Sequence, residues 1–201
     1  MDKEIKKLFE TELSSLLKKL NIPARTRSLK KSIKFESLST ENKAELAFSY
    51  LGSQKAYYIE LTGYSEEFSY YIQKIVPPYK SNMVDGFSAH FYMTTLQEKS
   101  HSHAQQLSKI YLPHSDHVLD LCINQISDAL NGFYIPYLMA FVDFNPSLIH
   151  YIVQRPDFYS YPIPMIAYVL EFNGLKWSDL NLPIGKKIIR DREFDEALLQ
   201  I

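Results

Sequence analysis

The sequence predicts an α+β fold: an antiparallel β-sheet of about four strands, with helices packed mainly on one face and a long central helix in the second half. One observation is a series of short segments between residues 32 and 95, rich in aromatic and β-branched residues and separated by turn signals. The other is residues 115–142, where apolar residues recur at steps of three and four. Because the strands are mixed in character, we expect one face on the helices and the other partly open.

Composition indicates a single globular domain over residues 1–201. The chain is 46% hydrophobic and 22% charged, which is ordinary for a folded protein and far from disorder. A chain of 201 residues buries a sizeable core without disulfide or metal support. No repeat, low-complexity tract or linker divides it.

The central helix is expected to begin at Pro113 to Ser115 and to end before Asp143 and Pro146. Cys122, the only cysteine, falls on its apolar side, so we expect a buried thiol and no internal disulfide. The other residues of that side are Val118, Leu121, Ile126, Ala129, Leu130, Phe133 and Tyr137.

Four further segments have helical spacing: residues 5–20, 66–75, 147–154 and 165–175. Prolines stop or start several of them, and Gly174 can take a left-handed cap position. We also expect a turn of helix around residues 104–110, an ordered turn at Trp177 and a short helix or strand near the end of the chain.

The predicted strands are residues 32–36, 45–51, 55–62 and 86–95. Residues 52–54, Gly-Ser-Gln, supply a turn that joins the second and third strands into a hairpin. The fourth strand opens after Asp85-Gly86.

Charge and targeting signals indicate a cytoplasmic protein with a polarised charge distribution. Residues 1–34 hold ten Lys and Arg against four Asp and Glu, whereas the rest of the chain is acidic. The N-terminus has no apolar signal region, no apolar run is long enough to cross a membrane, and the lone cysteine fits a reducing compartment. The acidic remainder suits a basic partner, and the basic start suits phosphate or an acidic partner.

Motifs for catalysis, cofactors or metals are missing from the sequence. Six glycines form neither a phosphate loop nor a dinucleotide fingerprint, and Gly-x-Ser-x-Gly is absent. The histidines occur as His101-x-His103 and His114-x-x-His117 without a further ligand motif, so we expect no metal site and no cofactor. An enzyme with an unrecognised site around His90 and the strand carboxylates stays open as an alternative.

The best concentration of residues typical of protein interfaces lies on and beside the predicted hairpin. Tyrosines combine a large apolar body with a polar tip and are enriched where proteins meet. The candidate partner-binding residues are Tyr57, Tyr58, Glu60, Tyr64, Glu66, Glu67, Tyr70 and Tyr71.

A second alternative is nucleic-acid binding through residues 25–34. Five cations, spaced by small or apolar residues, could follow a phosphate backbone. No aromatic stacking platform is interleaved with them and the whole chain is slightly acidic, so we expect an ordinary loop that runs into a strand, and nucleic-acid binding is not our first hypothesis.

The order of elements resembles small bacterial proteins of the DUF4304 type, which are counted among the immunity-like proteins of polymorphic toxin systems. The resemblance covers most of residues 3–175: a helix, a basic turn, a β-meander, a long helix ending in Gly-Phe-Tyr-Ile-Pro-Tyr-Leu-Met-Ala-Phe, a short helix and a hydrophobic helix closed by Asn-Gly-Leu. It implies a cytoplasmic protein without enzymatic activity that binds and neutralises a cognate toxin domain, such as a nuclease.

Overall fold

Six antiparallel strands form one sheet in the computed structural model, which describes residues 2–84, 88–96, 107–180, 182 and 184–200. The order is β1-β2-β3-β4-β5, and β6 pairs with β4 on the same edge as β5. All four predicted strands are found, and the α+β class is confirmed. The strands are β1 Arg25–Ser28, β2 Ser32–Glu36, β3 Lys43–Leu51, β4 Ala56–Tyr64, β5 Phe91–Thr94 and β6 Ile110–Tyr111.

Seven α-helices accompany the sheet within the described residues. Each predicted helix of residues 5–20, 66–75, 147–154 and 165–175 has its counterpart, and Gly174 has the expected left-handed φ of 63°. The helices are α1 Asp2–Lys19, α2 Glu66–Ile75, α3 Asp116–Ala129, α4 Ile135–Val142, α5 Ser147–Gln154, α6 Pro162–Asn173 and α7 Arg192–Leu198.

The central helix spans the predicted residues, but a π-helical turn at Leu130–Tyr134 joins α3 to α4. In this turn the Ile135 N–H donates to the carbonyl of Leu130, five residues back. Pro136 follows directly; it has no N–H to donate, and its ring would clash with a carbonyl four residues earlier in a regular helix. The wider π-helical turn therefore accommodates Pro136, and the helix continues from α3 into α4.

The end of α4 is fixed by a left-handed residue and by a loop of the sheet. Phe144 has a φ of 47°, and the two hydrogen bonds of a Schellman motif are present: the Asn145 N–H donates to the Ala140 carbonyl at 2.9 Å and the Phe144 N–H donates to the Phe141 carbonyl at 3.2 Å. The Val142 carbonyl accepts from Asn42 Nδ2 at 2.9 Å. The loop between β2 and β3 thus caps the central helix and orients it against the sheet.

The helices cover one face of the sheet, which we call the core face. Phe9 of α1 packs on Tyr57 with ring centroids 5.0 Å apart, and Phe141 of α4 packs on Phe91 at 5.9 Å. Gly63 of β4 faces Phe141 so closely that an added Cβ would lie 2.5 Å from its ring. Glycine is required here because it lets the helix approach the strand.

Several sequence-based expectations are wrong in detail. The loop expected at residues 25–31 contains strand β1, and the helical turn expected to reach residue 110 gives way to β6 where its positions are described. Leu121 is 49% exposed although we placed it on the buried side of the central helix. Cys122 is half-buried against the core, and burial raises the pKa of its thiol. Asp85, Gly86, His101 and His103 lie outside the described residues.

Candidate binding surface

The face of the sheet opposite the helices is the strongest candidate surface, and we call it the open face. Strand geometry turns alternate residues to it, so its members alternate with the buried residues Leu46, Ile59 and Leu61. Ala56 and Thr94 of this face are buried. The half-buried or exposed members of the open face include Lys43, Glu45, Ala47, Ser49, Tyr58, Glu60, Thr62, Tyr64, Tyr92 and Tyr111 of β3 to β6.

Charge on this side of the sheet is polarised. Toward β1 and β2 it continues with Arg25, Arg27 and Lys34 against Glu36, whereas the β3 to β5 part carries Glu45 and Glu60 against Lys43. Lys43 lies opposite Tyr64, and the two carboxylates lie nearer the middle of the strands, around Thr62 and Tyr58.

Glu60 lies half-buried in the middle of the open face, opposite Ala47 of β3 and Thr94 of β5. Its Oε2 accepts a hydrogen bond from the Ser49 hydroxyl, and its Oε1 accepts one from the Tyr92 hydroxyl at 3.2 Å. Burial, followed by the charge of Glu60, raises the pKa of Tyr92, so this hydroxyl stays a donor at neutral pH. Within the described residues no cation forms an ion pair with Glu60.

A cleft of about 600 Å³ opens on this face beside Glu60. Strands β3, β4 and β5 form its floor, and residues 82–84 together with Asp157 form a wall. The lining residues are three carboxylates, Glu45, Glu60 and Asp157, the apolar Ala47, Met83 and Val84, and the polar Thr62, Asn82 and Tyr92.

Asn82 holds the wall of this cleft in place. Its Nδ2 donates to the carbonyls of Pro156 at 3.1 Å and Tyr159 at 2.8 Å, and its backbone N–H donates to Ser160 at 2.8 Å. On its other side the Arg190 guanidinium donates to Asn82 Oδ1. These contacts connect the segment after α2 with the turn before α6 and with the C-terminal region, so the Asn82 end of the wall is anchored within the chain.

Tyr57 does not belong to any surface, which corrects its place among the candidate residues. It is completely buried on the core face because it shares the strand parity of Ile59 and Leu61. Its hydroxyl donates to Glu10 Oε1 at 2.7 Å, and Lys30 Nζ lies 2.8 Å from Oε2. Burial alone would raise the pKa of Glu10, but the hydrogen bonds from Lys30 and Tyr57 lower it below its ordinary value.

The candidate residues of α2 are divided between solvent and internal packing. Tyr70 is 61% exposed and donates to Glu66 Oε1 at 3.0 Å. Glu67 instead accepts from the Tyr168 hydroxyl at 3.2 Å, and the half-buried Tyr71 packs on the same ring with centroids 5.1 Å apart. Of the eight candidate residues, the structure brings Tyr58, Glu60 and Tyr64 together on the open face.

The His90 side chain is packed between the rings of Tyr64 and Phe68 and does not line the cleft beside Glu60. Its ring stacks on Tyr64 with centroids 5.5 Å apart and meets Phe68 edge to face at 5.1 Å. Burial lowers the pKa of this histidine to about 4. It is therefore neutral at physiological pH.

Both ring nitrogens of His90 have hydroxyl partners within the chain. The Ser69 hydroxyl lies 2.7 Å from Nε2 and 2.9 Å from the Ser65 carbonyl, and Ser160 Oγ lies 3.3 Å from Nδ1. The geometry is that of a packed, satisfied histidine and does not support the enzyme alternative.

The basic segment, residues 25–34, forms β1, its turn and part of β2, and its lysines are paired. Lys30 lies 2.8 Å from Glu10, and Lys34 lies 3.6 Å from Glu45. Charges neutralised within the chain contribute less to phosphate binding. The nucleic-acid alternative therefore gains no support from this segment.

Metal-ligand geometry, helix hydropathy and the comparisons with known proteins assign no function to this chain. Within the described residues, no cluster of His, Cys, Asp and Glu has the arrangement to hold a metal ion, and no helix combines the length and apolarity needed to cross a membrane. No family model, curated protein or solved structure matches this chain. The resemblance to the DUF4304 type stays a prediction.

Sequence reasoning missed part of the open face. Glu45 and Tyr92 were not among the candidate residues, although both lie opposite Thr62 in the ladder. The alternation of β4, with Tyr58, Glu60 and Thr62 on one face, is the signal that would have identified the strand residues. The wall has no such signal, because it is brought to the sheet by tertiary contacts.

Proposed function

We propose that this protein is a cytoplasmic, immunity-like inhibitor that binds a cognate bacterial toxin domain and neutralises it through the open face. The observation that carries the proposal is a helix-free sheet face that presents Tyr58, Tyr64 and the carboxylate of Glu60 beside a cleft. Aromatic residues around a cleft are typical of binding energy concentrated at a few positions.

The physical requirements of such an inhibitor agree with this surface. An inhibitor needs a rigid scaffold and a complementary patch, and it does not need a catalytic group. The carboxylates of β3 and β4 favour a cationic partner, such as a nuclease domain, because complementary charge accelerates association and selects the correct partner. The resemblance to immunity-like proteins points to the same class of partner.

Co-expression with a toxin-like protein encoded beside its gene tests this function. We expect the two proteins to co-purify and the toxin to lose its activity in the complex. Thr62→Arg places a long cation in the cleft of the open face and should weaken the complex, whereas Asn124→Arg makes the same charge change on an exposed position of α3 and should leave it intact. Circular dichroism establishes that both variants fold.

Two results would contradict the proposal. A folded, unaltered chain that neither binds nor inhibits the neighbouring toxin would remove the function. Complexes of equal affinity with both variants would remove the open face as the interface.

A further inference from the structure

We infer that the cleft beside Glu60 accepts one cationic side chain, a lysine or an arginine, from the partner protein. This inference deepens the proposed function and rests on it. It specifies which partner group enters the cleft and which residue of this chain receives it.

Glu60 has the charge and the free acceptor capacity for this role. Its oxygens accept hydrogen bonds from the neutral hydroxyls of Ser49 and Tyr92, and no cation among the described residues neutralises it. An ionised carboxylate offers about four lone-pair positions, so two hydroxyls leave room for an ammonium or guanidinium group. A half-buried charge gains more from a partner than an exposed one does.

The other carboxylates of the cleft differ from Glu60 because each has a cation within the chain. Lys34 lies 3.6 Å from Glu45, and Arg155 lies 3.1 Å from Asp157. Glu60 is therefore the carboxylate that an incoming cation would compensate, while the other two add negative potential at the rim.

The apolar lining of the cleft fits the stem of such a side chain. Ala47 lies on the floor, and Met83 and the 81% exposed Val84 form the lip. Lysine and arginine carry an aliphatic stem that packs on apolar surface while the charged end reaches a polar group. An apolar lip above an acidic floor matches that division within one side chain.

One residue of the cleft wall is anchored within the chain, which lowers the entropy lost on binding. Asn82 is hydrogen-bonded to Pro156, Tyr159 and Arg190, so its position in the wall is set before a partner arrives. An anchored residue retains binding energy that would otherwise be lost on ordering.

Titration with single capped amino acids tests the inference without the partner. Nitrogen-15 NMR spectra of the full chain are recorded with N-acetyl-arginine methylamide, N-acetyl-lysine methylamide and, as the uncharged control, N-acetyl-norleucine methylamide. We expect saturable shifts at the amides of Ala47, Thr62 and Val84 with one or both cations, and none with norleucine.

The matched variants are Glu60→Gln, which keeps the shape and removes the charge, and Glu36→Gln, an exposed carboxylate of β2 outside the cleft. We expect affinity for the cationic probe to fall about tenfold or more in the first and to stay unchanged in the second. Absent or unsaturable shifts, equal shifts with norleucine, or unaltered affinity in Glu60→Gln would each overturn the inference. These results are independent of toxin binding, whose failure would instead remove the proposed function.

Discussion

The buried histidine of the sheet edge should make this protein sensitive to mild acid. His90 has its pKa lowered from 6.5 to about 4 because it is buried between Tyr64 and Phe68. In the unfolded chain the imidazole binds a proton near its ordinary pKa. The unfolded state therefore takes up more protons than the folded state between these two values, and the free energy of unfolding falls as the pH falls from 6.5 to 4.

The magnitude follows from the difference between the two pKa values. At about pH 7.5 both states are neutral at His90, so its contribution is close to zero, and at about pH 5 proton uptake by the unfolded chain costs the fold about 2 kcal/mol. His90→Gln keeps a neutral hydrogen-bonding group and cannot be protonated. We expect the variant to lose about 2 kcal/mol less than the unaltered protein over this range.

Urea unfolding followed by circular dichroism at the two pH values measures this difference. Comparing the change with pH, rather than the absolute stability, separates the titration from any packing cost of the substitution. The exposed His117, changed to Gln, is the control and should reproduce the pH dependence of the unaltered chain. If His90→Gln and the unaltered protein lose equal stability on acidification, the neutral, packed state of His90 is refuted.

Two further substitutions test the packing that positions the open face. Gly63→Ala should lower the free energy of unfolding by about 1 to 3 kcal/mol because the new methyl group meets the Phe141 ring. The control is Gly185→Ala, which has nothing within 4 Å of its added Cβ and should be close to neutral in thermal denaturation. Equal effects of the two substitutions would contradict the close approach of α4. Tyr79→Phe should lower the free energy of unfolding by about 1 to 3 kcal/mol because it removes the 2.6 Å hydrogen bond to the buried carboxylate of Asp195. Tyr161→Phe, which changes the neighbouring ring, is the control in urea unfolding. Similar losses of stability in both variants would show that this hydrogen bond does not stabilise the fold.

The sequence pattern predicted correctly those elements that are stabilised by interactions within their own segment. Helix α2 has apolar spacing, a Ser65 side chain that accepts from the Phe68 N–H at 3.0 Å, and Pro77 beyond its end, so its bounds were predicted correctly. Strand β1 is the opposite case. Its four residues, Arg-Thr-Arg-Ser, bury no apolar side chain, and it is a strand because β2 supplies a pairing edge.

The candidate site was predictable to the extent that strand parity defines it. Side chains alternate between the two faces along β4, so Tyr58 and Glu60 lie on the open face whereas Tyr57 lies beside Ile59 in the core. The sequence-based prediction placed Tyr57 and Tyr58 in one patch and overlooked this alternation. The cleft is different, because Asp157 and residues 82–84 reach the sheet only through contacts such as Asn82 with Tyr159. No periodicity in the sequence records those contacts.

Hydroxyl-radical footprinting of the complex with the neighbouring toxin tests the central claim, that the open face is the binding surface. Oxidation of Tyr64 and Met83 should fall several-fold on complex formation, while the 49% exposed Leu121 of α3 should react as it does in the free protein. Unchanged oxidation of Tyr64 and Met83 together with protection of Leu121 would contradict the account.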